Sequence, residues 1–199
     1  MQWLLPFLVL APSPDEPALA FSAAKPEYAA ASAEYRQLWC TEGSRIMAAM
    51  ERVTGFPYPA GTVEVAVVSG TPMTAFGGRS MSLKARYPLY YKRATLVHEL
   101  GHRLAFTMPR TAGLDDHRLL YLFLYDVWFD LYGAEYADTM VAIERRITGR
   151  YDYAGAWGWA LGLTRAERQA RLAALRAQGA TPATPSGPRT ASPSLPGCA

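Results

Sequence analysis

Residues 95–106 read TLVHELGHRLAF and hold two of the chain's three histidines, His98 and His102, four positions apart with Glu99 directly after the first. At about 100° of rotation per residue, His102 falls near 40° from His98, whereas Leu96, Val97, Leu100 and Leu104 fall between about 160° and 260°. The aliphatic stripe and the histidine pair therefore face nearly opposite ways. Two imidazoles one turn apart on one side can both direct a nitrogen at a single ion, at the roughly 2.0–2.1 Å that zinc requires. Glu99, near 100°, stands on the rim of that face, in the place of a base beside its nucleophile. The plain alternative is a pair of hydrogen-bonded core or surface histidines. A glycine inside a helix costs about 0.8–1.0 kcal/mol relative to alanine, so Gly101 between the histidines predicts close approach of another backbone, that of a β section.

Length and composition frame this helix. The chain has 199 residues, half of them apolar and 12% aromatic, which is enough to bury one sizeable core. Its 20 basic and 17 acidic residues give a net charge of +3. The basic residues are scattered singly or in pairs such as Arg145-Arg146, so no nucleic-acid partner is expected. Cys40, in a predicted helix, and Cys198, near the end, make neither a disulfide framework nor a cysteine zinc site expected.

The ends read differently from the middle. Residues 1–26 contain an apolar run, Trp3 to Ala11, of signal-peptide length, and Ala18-Leu19-Ala20 has the form of a cleavage site. No Lys or Arg precedes the run, and Asp15-Glu16 are unusual there. The expectation is a signal or unstructured N-terminus and export to a periplasm or the outside, with cytoplasmic residence as the alternative. No segment reaches the roughly 20 apolar residues of a transmembrane helix. Residues 179–199 form a Pro/Ser/Thr/Ala-rich tail expected to be disordered. The folded domain is placed at residues 27–178.

Within it the pattern is α+β, predominantly α. A helical region ends near Gly55, "TVEVAVVS" reads as a strand, and "SMSLKARYP", after a flexible "FGG", as its partner. Helices are predicted over about 92–107, 114–132, 135–148, 152–162 and 164–178, the last opening on the capping box Thr164-x-x-Glu167. The aromatic-rich "YAGAWGWALGL" is read as core.

The His-Glu-Leu-Gly-His run resembles the active-site helix of zincin-type metallopeptidases. The resemblance implies His98 and His102 as zinc ligands, Glu99 as general base, and a mixed sheet whose edge strand pairs with extended peptide, for which "SMSLKARYP" is the candidate. The longer HExxHxxGxxH form is absent, since Ala105 and Met108 stand at its last two positions.

A catalytic zinc site has three protein ligands and an open position, and His117, Asp126 and Asp130 lie downstream. Pro109 ends the first helix, "MPRTAG" reverses the chain, and Asp115 or Asp116 caps the next helix, bringing His117 roughly level with His102. Asp126, in the apolar "LLYLFLYDVWFDLYG", competes from about half a turn out of phase. The 15-residue step from His102 to His117, with acidic residues before it, resembles SprT-like zincins, whereas gluzincin-like and aspzincin-like families use a carboxylate. Tyr121, Tyr151 and Tyr153 are candidates to stabilise an oxyanion. The expected function is zinc-dependent hydrolysis of peptide bonds in a peptide or protein substrate. The alternatives are a degenerate zincin fold that binds metal without peptidase activity and an accidental motif in a structural protein.

Overall fold

The computed structural model describes residues 17–179 together with Leu195 and Cys198. Strands β1 (Pro17–Ala23), β2 (Gly61–Val68), β3 (Met73–Ala75) and β4 (Ser80–Lys84) form one sheet in the order β1-β2-β4-β3. The first two and β4 are parallel, and β3 runs antiparallel to β4. Parallel neighbours need a long crossover, and α1 (Ala29–Thr54) supplies it between β1 and β2. The two-residue period of β2 buries Val63, Val65 and Val67 on one face while Thr62 and Glu64 stay outside, and Met81 and Leu83 of β4 continue that buried row.

Six further helices follow among the described residues: α2 (Leu89–Ala105), α3 (Asp116–Tyr121), α4 (Leu124–Tyr132), α5 (Ala134–Glu144), α6 (Tyr153–Leu161) and α7 (Arg165–Gly179). The architecture is thus α+β and mostly helical. No helix among the described residues is long and apolar enough to cross a membrane. Helix α7 opens on the expected capping box: Glu167 Oε2 accepts from the Thr164 amide at 2.7 Å, and Thr164 Oγ1 accepts from the Glu167 amide at 3.3 Å.

Helix α2 packs against α1, α3, α4 and the β3–β4 end of the sheet. Beyond its first turn it is buried on nearly every side: Lys92, Thr95, His98, Glu99 and Arg103 are covered along with Leu96, Leu100 and Leu104. The histidine face expected to be separate from the core is therefore a covered face too, opening only into a cleft.

Four expectations change. Residues 17–23 form β1, paired along its whole length with β2, so cleavage after Ala20 would cut a sheet strand and the fold begins before residue 27; residues 1–16 lie outside the described residues. The edge beside α2 is β3, not β4, because β4 is flanked by β2 and β3; three residues are too few to show a period. The predicted helix 114–132 is broken at Leu122–Phe123, where Phe123 leaves helical geometry at φ −133°. Six consecutive residues there, Leu119 to Leu124, are all essentially inaccessible, which a straight helix with one apolar stripe could not achieve. Finally, Cys40 and Cys198 form a disulfide across 158 residues, where no disulfide framework was expected. Leu195 is buried and lies so close to Gly43 that a Cβ there would come within 2.6 Å of it. These two residues of the tail are ordered, and the rest of it, 180–194, 196, 197 and 199, lies outside the described residues.

Candidate metal centre

Each side chain of the site is placed by a local device. His98, Glu99 and His102 share two turns of α2. Asp115 caps α3, accepting from the Arg118 amide at 2.8 Å, and so sets His117 in its first turn. Helix α3 can lie against α2 because Gly101 has no side chain: a Cβ there would meet Leu120 Cδ1 at 2.5 Å. The glycine thus serves helix–helix packing rather than the approach of the β section.

The three histidines converge. Their ligand nitrogens lie within 4.8 Å of one another, and this group can hold a metal ion. His98 Nε2 and His102 Nε2 are 3.1 Å apart, close to the ~3.3 Å separating two nitrogens bound to one tetrahedral zinc. Two imidazole nitrogens so close need a shared positive centre, a proton or a metal. The buried His117 Nδ1 has no hydrogen-bond partner among the described residues. The donor set and its spacing fit a metal.

Around the tripod, two carboxylates have distinct settings. Glu144, at the end of α5, accepts from His98 Nδ1 at 2.8 Å through Oε1, and from Tyr121 Oη and Trp157 Nε1, each at 2.9 Å, through Oε2. It holds His98 in the tautomer whose Nε2 faces the other imidazoles. Glu99 Oε2 accepts from Thr74 Oγ1 of β3 at 2.7 Å. Thr74 thus ties the edge strand to the site.

Electrostatics separate these groups. Burial pushes His98 down, but the charge and hydrogen bond of Glu144 and the charge of Glu99 carry it above its usual value. Burial and then the neighbouring His98 hold His102 well below the ordinary range and take His117 down to about 4. Those two imidazoles are neutral at pH 7, the form that binds metals. Burial would raise Glu144, yet the charge and hydrogen bond of His98, with the hydrogen bonds of Tyr121 and Trp157, keep it below the usual carboxylate range. For Glu99 burial prevails over His98 and Thr74 and raises it.

The tripod and Glu99 lie on the floor of an open cleft of about 510 Å³ rimmed by Met73, Phe106, Ile147, Tyr151 and Tyr153. His98, Glu99, His102 and His117, all singled out in the sequence, are brought together. Asp126 and Asp130 are not: Asp126 is paired with Arg168 at 2.7 and 3.0 Å, and Asp130 with Arg165 at 3.0 and 3.1 Å. Of the tyrosines, Tyr121 is engaged by Glu144, whereas the rings of Tyr151 and Tyr153 flank His117 at 4.7 and 4.6 Å. Sequence reading missed Glu144, Thr74 and Trp157. The signal for Glu144 was its register with the buried Ala137, Met140 and Val141, which puts a carboxylate on an apolar stripe. Trp157 is core, stacked on Tyr121 at 3.8 Å, but lends its indole N–H to the site.

In comparisons with known proteins, no family matches the chain, and neither a curated protein nor a solved structure is similar to it.

Proposed function

We propose that the chain is a zinc-dependent peptidase in which His98, His102 and His117 hold the ion and Glu99 is the general base. The observation that carries this reading is the convergence of three imidazole nitrogens beside a buried carboxylate in an open cleft. Three imidazole ligands would leave a coordination position free, and a bound zinc would supply Lewis acidity there, lowering the pKa of a water toward about 7 and polarising a peptide carbonyl.

The chain's own residues supply the rest. Glu144 orients His98 through Nδ1. Thr74 holds one oxygen of Glu99, leaving the other to take the proton of the attacking water and later deliver it to the leaving amine. Desolvation raises the proton affinity of Glu99 above that of an exposed glutamate, the direction that strengthens a general base. The outer side of β3 is unpaired among the described residues, so an extended peptide can add there as a further strand. Tyr151 and Tyr153, beside His117, stand on the cleft wall as hydroxyl donors for a developing oxyanion.

The test is a peptide library offered to the zinc-loaded protein with and without a chelator. Cleavage abolished by chelation and restored by zinc is expected. Stoichiometric zinc without turnover of any peptide would leave only a metal-binding module.

A further inference from the structure

The metal cleft does not end at the histidines. Past His98 and Glu99 it continues into a second chamber of about 350 Å³. Thr71, Pro72, His98, Glu99, Ile147 and Tyr153 line both spaces, so the two meet at the ion site. Beyond that junction the walls are Tyr87, Tyr91 and Ile143, with Thr95 and Lys84. The chain order explains the grouping: Lys84 ends β4, Tyr87 leads into α2, and Tyr91 and Thr95 follow on its first turns. The rings of Tyr87 and Tyr91 are 4.4 Å apart and make one aromatic wall.

Three charged groups face this space, two carboxylates and one ammonium. Glu144 spends both oxygens on His98, Tyr121 and Trp157, and Glu99 is held by Thr74. Lys84 pairs with no carboxylate among the described residues; its Nζ stands 5.2 Å from the ring centroid of Tyr87. A half-buried ammonium over an aromatic wall, without a counter-ion, favours an anion entering the chamber. An apolar stem would pack on the tyrosines and Ile143 while its acidic end reaches Lys84.

We propose that this chamber selects a substrate carboxylate next to the scissile bond, with Lys84 as its counter-ion. The proposal rests on the peptidase reading and names the substrate class for that site. The carboxylate can come from an Asp or Glu side chain or from the free C-terminus of the substrate.

The experiment measures kcat/KM of the zinc-loaded full chain on matched peptides carrying Glu, Gln, Leu or Lys at each position flanking the cleaved bond, with free and with amidated C-termini. Glu is expected to exceed Gln by about tenfold at one flanking position, the size of a hydrogen bond to a charged group. That ratio should collapse toward one in Lys84→Met and invert in favour of Lys in Lys84→Glu. Selection that follows the free C-terminus instead of the side chain, and is lost in the same variants, assigns the carboxylate to the chain end. Equal rates for Glu and Gln and for both kinds of terminus overturn the proposal, as does a preference that survives both Lys84 substitutions. If wild-type protein cleaves no peptide at all, the peptidase reading itself falls, and this proposal with it.

Discussion

Glu144 joins α5 to α2, α3 and α6 through His98, Tyr121 and Trp157. In Glu144→Gln the volume is kept but the charge that favours the His98 tautomer is lost, so zinc affinity should fall about 10–100-fold in competition with a chromophoric chelator; unchanged affinity would remove Glu144 from the site. His117 and Asp126 make a sharper pair. His117→Ala removes a ligand and should weaken zinc binding by more than that, with little loss of fold. Asp126→Ala should do the reverse, keeping zinc but losing about 3–5 kcal/mol in denaturant unfolding, because it strands the buried Arg168 without its partner. Equal effects of both on zinc would contradict the tripod. His98 and His102 were legible because histidine is scarce in this chain and spacing alone puts them on one face, whereas His117 and Asp126 stayed alternatives until the fold brought His117 beside them. Glu144 was not assigned to the site, since its register marks only a carboxylate on an apolar stripe and its partners come from three other helices.

At the scale of elements, the site depends on how closely α2 and α3 approach. Gly101→Ala should destabilise the fold by about 1–3 kcal/mol, the cost of overpacking, because the new methyl meets Leu120. In a Leu120→Ala background the same substitution should cost markedly less, a coupling that thermal or denaturant unfolding of the four proteins measures; additive losses would place the reason for the glycine elsewhere. The cap and capping box of α3 and α7 were readable as local chemistry. The break between α3 and α4 was not, because nothing in Leu-Leu-Tyr-Leu-Phe-Leu-Tyr-Asp disrupts a helix locally: the chain bends there to bury Leu119 to Leu124 on every side. Strand β3 escaped notice for a related reason, since its role beside the site comes from pairing with β4 and from Thr74 reaching Glu99, both set by tertiary structure.

For the whole molecule, the termini fasten what sequence composition suggested was loose. Strand β1 completes the sheet, and the Cys40–Cys198 bond ties the end of the chain to α1, a linkage that two cysteines 158 residues apart do not announce. Removing this bond by Cys198→Ser or by reductant should lower stability by about 2–4 kcal/mol and the melting temperature by roughly 5–15 °C; an unchanged melting curve would show that the bond does not staple the fold. What the rest of the architecture holds in place is one buried carboxylate beside three converging imidazoles, and Glu99→Gln tests directly whether that carboxylate is the proposed base. The amide is isosteric and the three imidazoles remain, so zinc should stay at about one per chain with an unchanged melting temperature. General acid–base catalysis contributes about 10²–10⁴-fold, so kcat for a cleaved peptide should fall at least about 100-fold with little change in KM. A variant that keeps its zinc and more than about a tenth of wild-type kcat would contradict the account, since no base of that strength could have been removed; one that loses its zinc would make Glu99 a ligand instead.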